Sequence, residues 1–166
     1  MFDITVFDGL SEEEKYESMV TMLEGLIKDE KDVITNLANA SALINALMDR
    51  INWVGFYIIK NGELVLGPFQ GMPACTRIKV GKGVCGTAVS SKTIMRIEDV
   101  HKFEGHIACD SASNSEIVLP IIKNNKVYGV LDIDSPIVGR FTEIEGKYLV
   151  QCMDILNKYI DWELIS

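Results

Sequence analysis

Cys75, Cys85 and Cys109 fall within one stretch, residues 70–116, that also holds both histidines, His101 and His106, and many Gly and Ser residues. These cysteines form no Cys-x-x-Cys pair, so neither a zinc knuckle nor a thioredoxin-type redox turn is indicated. A thiolate attacks only when its pKa is lowered or a base helps it, and Lys82, His101 and His106 are the candidates by sequence proximity. Cys152 differs, because it sits on the apolar stripe of a C-terminal helix, where a cysteine behaves as a small buried hydrophobe. A second constellation is acidic. In Gly129-Val130-Leu131-Asp132-Ile133-Asp134, strand alternation puts Asp132 and Asp134 on one face about 7 Å apart, suited to an ammonium group or a metal. Glu116 begins the preceding strand and can reach that face. A third is aromatic: Trp53, Gly55 and Tyr57 share a strand face, which predicts two rings flanking a gap above glycine. With the acids opposite, this describes a pocket for a zwitterionic amino acid with an apolar tail.

The elements that must position these groups are legible from periodicity. Ser11 with Glu14 is a capping box, followed by Tyr16, Met19, Val20, Leu23, Leu26 and Ile27 at helical spacing. A second helix is predicted from about Asp32 to Met48. From Ile51 the period becomes two. Ile51–Ile59 and Glu63–Gly67, joined by Asn61-Gly62, predict a hairpin. Short strands are expected at Arg77–Val80 and Thr93–Ile97, with a helix over Gly83–Ser90 between them. Ile117–Lys123 and Lys126–Asp134, joined by Asn124-Asn125, predict a second hairpin. Thr142 and Glu145 open a closing helix whose stripe is Ile144, Tyr148, Leu149, Cys152, Ile155, Leu156, Tyr159 and Ile160. Helices bracketing hairpin-linked strands indicate an α+β fold with helices on one sheet face. Residues 70–116 fit no single period, and a long irregular segment in a small domain is more often functional than filler.

Composition bounds the partners. The 166 residues carry 16 Lys and Arg against 24 Asp and Glu, a formal charge of −8, with 48% hydrophobic residues. A single domain, residues 1–166, is expected. The acidic balance argues against a nucleic-acid partner, whose phosphates need Lys and Arg. No apolar run is long enough for a membrane span. Residues 1–15 show no basic start followed by an apolar stretch, so no secretory signal is expected. Four cysteines in such a chain suggest reduced thiols and a cytoplasmic location. The amphipathic N-terminal helices can also pack against a second copy, giving a homodimer.

Seven ordered segments carry a resemblance. They are Asn52-Trp53-Val54-Gly55-Phe56-Tyr57, Leu66-Gly67-Pro68-Phe69-Gln70-Gly71, Gly83-Val84-Cys85-Gly86-Thr87-Ala88, Ile97-Glu98-Asp99-Val100, Gly105-His106-Ile107-Ala108-Cys109-Asp110, Ser113-Asn114-Ser115-Glu116-Ile117 and Val130-Leu131-Asp132-Ile133-Asp134-Ser135. Together they resemble the free methionine-(R)-sulfoxide reductases, single-domain enzymes of the GAF fold. The resemblance implies an antiparallel sheet with terminal helices on one face and a small-molecule pocket on the other. It implies reduction of free methionine-(R)-sulfoxide, without metal or organic cofactor, and recycling by thioredoxin. Cys109 matches the attacking cysteine, Cys75 a resolving thiol, and Cys85 a participant in disulfide relay. Glu116 and Asp134 match acids that handle the sulfoxide and the amino acid, Asp132 a further acid, and Trp53 and Tyr57 an aromatic wall. The chemistry is consistent. A thiolate attacking a sulfoxide needs its oxygen protonated, and clustered acids raise one another's pKa, which favours Glu116 as the acid. The resulting sulfenic acid condenses with a second thiol, and an external dithiol restores the enzyme. The rival reading is a non-catalytic GAF sensor that binds a cyclic nucleotide or another small ligand.

Overall fold

Capping side chains start the helices that frame the chain. In the computed structural model, which describes residues 3–107 and 111–166, the Ser11 hydroxyl accepts the Glu14 N–H and the Glu14 carboxylate accepts the Ser11 N–H at 2.8 Å. This opens α1 (Glu12–Ile27). The Asp32 carboxylate accepts the Thr35 N–H at 2.7 Å to start α2 (Val33–Leu47). A second capping box, Thr142 with Glu145, starts the last helix, Glu143–Tyr159. In α1 the buried stripe is Tyr16, Met19, Leu23 and Ile27. It is narrower than predicted, since Leu26 is 41% exposed. Ile144 is likewise exposed, because Glu145 takes the inward position beside it.

The strands are β1 (Trp53–Lys60), β2 (Glu63–Gly71), β3 (Arg77–Lys79), β4 (Met95–Ile97), β5 (Ser115–Lys123) and β6 (Lys126–Ser135), with α3 (Gly83–Ser91) between β3 and β4 and α4 (Glu143–Tyr159) last. They form one antiparallel sheet in the order β3-β2-β1-β6-β5-β4. Both predicted hairpin turns take positive φ at their two central residues, Asn61-Gly62 and Asn124-Asn125, as a type I′ turn requires. β2 runs four residues beyond its predicted end at Gly67. Between the pairs Gly55–Phe69 and Tyr57–Leu66, Gly67 and Pro68 together oppose Phe56. This bulge absorbs a proline that a regular ladder would reject.

Alternation sorts the sheet into two faces. Val54, Phe56, Ile58, Ile117, Leu119, Ile121, Leu131 and Ile133 join α1, α2 and α4 in the larger core. Trp53, Tyr57, Val118 and Val130 face the other way, against Val84, Cys85, Ala88 and Val89 of α3. The α+β class and the terminal helices on one face are as the sequence predicted, while α3 lies on the other face. A buried ion pair fastens the helical layer: Arg140 bonds Glu145 at 2.8 Å, the Tyr16 hydroxyl at 2.9 Å and the Asp49 carbonyl at 2.9 and 3.0 Å. Burial pushes the Glu145 carboxyl up, but hydrogen bonds from Thr142 and Arg140 outweigh it and hold the pKa at about 2.

Replacing Arg140 with Met leaves the Glu145 carboxylate sealed without its cation. Urea unfolding should show a loss of about 3–5 kcal/mol near neutral pH. Because the folded pKa of Glu145 is depressed, its contribution is present above the ordinary carboxylate range and drains away as pH falls toward about 2. Unfolding free energies that stay flat over that acid range would contradict this anchoring.

Candidate active site

The sheet register alone brings the acids together. Glu116 on β5 pairs directly with Asp134 on β6, and Asp134 pairs on its other side with Trp53. Asp132 lies opposite Gly55 and Val118. All therefore project from the face away from α1, α2 and α4. The first turn of α3, Gly83–Cys85, closes over them, and His106, Ile107, Ser113 and Ile78 complete the lining. The Cys85 thiol points at Glu116 Oε1 at 4.0 Å, and His106 Nε2 stands 3.9 Å from Glu116 Oε2. Asp132 Oδ1 is buried with no hydrogen-bond partner among the described residues.

Burial and crowding set the protons. Glu116 and Asp132 are each only 6% exposed. Burial, then the charges of Asp132 and Asp134, drive the Glu116 carboxyl well above its ordinary range. Burial raises Asp132 to about 6, held there by hydrogen bonds from Cys85, Glu116 and the Ile133 N–H. The Cys85 thiol is pushed up by burial and by the neighbouring acids. His106 is lowered, by burial first and then by His101, so it faces Glu116 as a neutral imidazole at neutral pH. Near neutrality the pocket thus holds a protonated carboxyl, a neutral thiol and acceptor carboxylates. Cys85, Glu116 and Asp132 do offer ligand atoms within 4.8 Å of one another. With protons on Glu116 and Cys85, they act as hydrogen-bond donors before they act as metal ligands.

The other sequence candidates fall as follows. Cys75 lies half-buried in the connector 72–76 between β2 and β3 and is disulfide-bonded. Cys85 and Cys152 are free thiols. Cys152 sits in the opposite core, its pKa raised to about 12 by burial. Cys109 lies outside the described residues. His101 is exposed and bonds Asn114 Oδ1 at 2.9 Å, and Lys82 is exposed at the N-cap of α3. The sequence offered His106 only as a base candidate for a nearby thiol, not as a neighbour of Glu116, and did not single out Ser113. His106 stands in the Gly105-His106-Ile107 segment, and its neighbours there were the available signal.

One expectation requires correction. Trp53 and Tyr57 share a face, but there is no gap above Gly55. A Cβ at Gly55 would lie 2.7 Å from Trp53 Cη2 and 2.4 Å from Phe69 Cβ. The absent side chain lets the indole fold over the strand and Phe69 press in from β2. The result is a filled stack, with Trp53 and Tyr57 centroids 5.9 Å apart and Trp53 and Phe69 5.3 Å apart. The sequence pattern could not supply Phe69, because its position depends on the bulge.

This arrangement of sheet, helical layer and covered acidic pocket is that of a GAF domain, and the GAF domain profile matches residues 32–160. The chain is 53% identical to Protein YtsP of Bacillus subtilis over 95% of its own length and 98% of that protein. It is 50% identical to the free methionine-R-sulfoxide reductase of Escherichia coli over 91% of this chain and 92% of that one. The crystallised free methionine-R-sulfoxide reductase of Neisseria meningitidis, in complex with its substrate, superposes with a TM-score of 0.89 at 39% identity, covering 92% of each chain. The chain belongs to the free methionine-R-sulfoxide reductases, the GAF-domain family of oxidoreductases.

In the folded disulfide form, iodoacetamide should leave Cys85 and Cys152 unmodified, and both should react after unfolding. Peptide mass spectrometry reads the outcome. Carboxamidomethyl Cys85 in the native protein would contradict its burial.

Proposed function

We propose that this protein reduces free methionine-(R)-sulfoxide to methionine, with Cys109 as nucleophile. The carrying observation is the pair of buried acids Glu116 and Asp132, with half-buried Asp134 beside them on the pocket face, in a chain whose Cys75 is already disulfide-bonded. Relatives named for this activity support the substrate. Each part of a zwitterionic sulfoxide has a counterpart here. Asp134 and the orphaned Asp132 oxygen suit the ammonium. The first turn of α3, at the positive end of its helix dipole, suits the carboxylate. Ile78 and Val84, which line the pocket and pack in one cluster with the Trp53 and Tyr57 rings, suit the apolar tail, the aromatic stack serving as backing for that wall.

The electron count closes. The Cys109 thiol gives up its proton, and the thiolate attacks the sulfoxide sulfur. Protonated Glu116 donates to the sulfoxide oxygen as the sulfur–oxygen bond of the substrate breaks. The hydroxyl so released bonds the Cys109 sulfur as the sulfur–sulfur bond made by the attack breaks with its electron pair on the substrate sulfur, leaving methionine and Cys109 sulfenic acid. The Cys75 thiol then attacks the sulfenic sulfur, forming the sulfur–sulfur bond and releasing water with the thiol proton. An external dithiol of the thioredoxin type returns both cysteines to thiols. Cys85 remains a free thiol while Cys75 is bonded, which favours Cys75 as the resolving partner. A relay through Cys85 would then follow that first disulfide. Until then Cys85 hydrogen-bonds the acids.

Cys109→Ser should abolish methionine formation, while Cys75→Ser should release one methionine per protein and then stall with thioredoxin. Undiminished steady-state turnover of either variant would refute its role. Glu116→Gln should lower kcat by about 10²–10⁴-fold. In the parent protein, activity should fall as rising pH strips the Glu116 proton, and that limb should vanish in Glu116→Gln. An oxidised methionine inside a peptide lacks the free ammonium and should not be reduced, so measurable activity on such a peptide would overturn the recognition scheme.

A further inference from the structure

The stacked aromatics of β1 also reach past the sheet. The Trp53 Nε1–H donates to the Met72 carbonyl at 3.1 Å, and the Tyr57 hydroxyl donates to the Cys75 carbonyl at 3.0 Å. Both acceptors belong to the connector 72–76, whose last residue is pinned to β2 where the Leu66 N–H donates to the Thr76 carbonyl at 3.0 Å. Besides these bonds, the Cys75 disulfide and the packing of Ala74 and Cys75 against the smaller core, the connector is open to solvent. Met72 is 66% exposed, Pro73 and Thr76 are exposed, and Ala74 and Cys75 are half-buried. Tyr57 and Trp53, in contrast, are 1% and 2% exposed. Their donors are fixed in the core and have no water to bond instead. Gly71 makes the reach of Trp53 feasible. Its φ is +134°, and a Cβ there would stand 2.5 Å from Trp53 Cδ1 and 2.8 Å from the Asn52 carbonyl.

We propose that Tyr57 and Trp53 are positioning residues for Cys75, their hydrogen bonds holding the connector where its thiol meets the sulfenic acid. This rests on Cys75 being the resolving thiol. In that step the Cys75 sulfur bonds the Cys109 sulfur, the sulfur–oxygen bond breaks, and the hydroxyl leaves with the thiol proton as water. A five-residue connector without tethers samples many placements, and closure slows by the fraction of time the thiol is out of reach. The Tyr57 hydroxyl matters most because it bonds the carbonyl of the reacting residue itself. It is separable from the ring, since Tyr57→Phe deletes the tether and keeps the stack with Trp53.

The test is a single anaerobic turnover of the prereduced full-length protein with free methionine-(R)-sulfoxide. Methionine, Cys75 disulfide and dimedone-trapped sulfenic acid are counted over time. In Tyr57→Phe the rate of disulfide closure relative to methionine release should fall roughly fivefold, as loss of one buried hydrogen bond predicts, and sulfenic adduct should accumulate. Tyr148→Phe, which deletes a hydroxyl bonded to Glu13 and Glu17 in the helical layer, should keep the parent ratio. Equilibration with glutathione gives a second reading that needs no substrate: the Cys75 disulfide of Tyr57→Phe should be roughly fivefold easier to reduce. Closure that keeps pace with methionine release in Tyr57→Phe overturns the positioning role. Parent protein that releases methionine without bonding Cys75 overturns the resolving role instead, and the glutathione equilibrium alone then decides the tether.

Discussion

Three carboxyl groups cannot all be charged in a pocket this enclosed, and the rest of the site follows from that constraint. Glu116 and Asp134 face each other across one strand pair, and Asp132 lies two residues along the same strand. Desolvation and mutual repulsion are relieved by keeping a proton on Glu116. A carboxyl held neutral at the base of a pocket is a proton donor ready before any ligand arrives. The carboxylate positions beside it remain acceptors for a cation. The same enclosure that drives up the Cys85 thiol makes it a hydrogen-bond donor to the acids. One physical cause thus separates the roles of groups that are chemically alike.

The fold delivers this by division of labour between the sheet faces. The helical face carries an apolar core fastened by the Arg140, Glu145 and Tyr16 network. That leaves the other face free for a smaller cluster, a short helix and a pocket. The strands that bear the acids are central in the sheet, so both neighbours constrain each backbone. The cysteine connector lies instead near the sheet's edge, between β2 and β3, and is fastened, apart from the Cys75 disulfide, by single hydrogen bonds. Interior strands hold the acids, and a connector near the edge carries Cys75.

Much of this was legible in the residues. Capping boxes at Ser11 and Thr142, the Asn61-Gly62 and Asn124-Asn125 turns, and the alternation through Asp132 and Asp134 each encode a local conformation, and local conformation is what a single sequence specifies best. Glu116 was read near the aspartates from the hairpin, but its face depends on a bulge between Ile121 and Ile122, without which the turn's register would set Glu116 opposite Ile133. The relations that failed or were missed are long-range. The Trp53 stack depends on a bulge opposite Phe56 that no period announces, and Phe69 enters through it. His106 reaches Glu116 from an irregular segment whose path has no repeat to read. The tether from Tyr57 ends on a backbone carbonyl, and an acceptor carried by every residue leaves no trace in side-chain identity.

The two-residue turn at Asn124-Asn125 sits at the far end of the β5–β6 hairpin from the acids, yet with the bulge between Ile121 and Ile122 it acts as their gauge. Lengthening it by a single residue, with β6 held in place, would slide β5 by one position. Such a slide exchanges the faces of its side chains. Glu116 would then swing into the oily helical layer and Ile117 would occupy the acid's berth. The acid cluster of this domain is in that sense a matter of counting, governed by the span of one bend and the offset of one bulge.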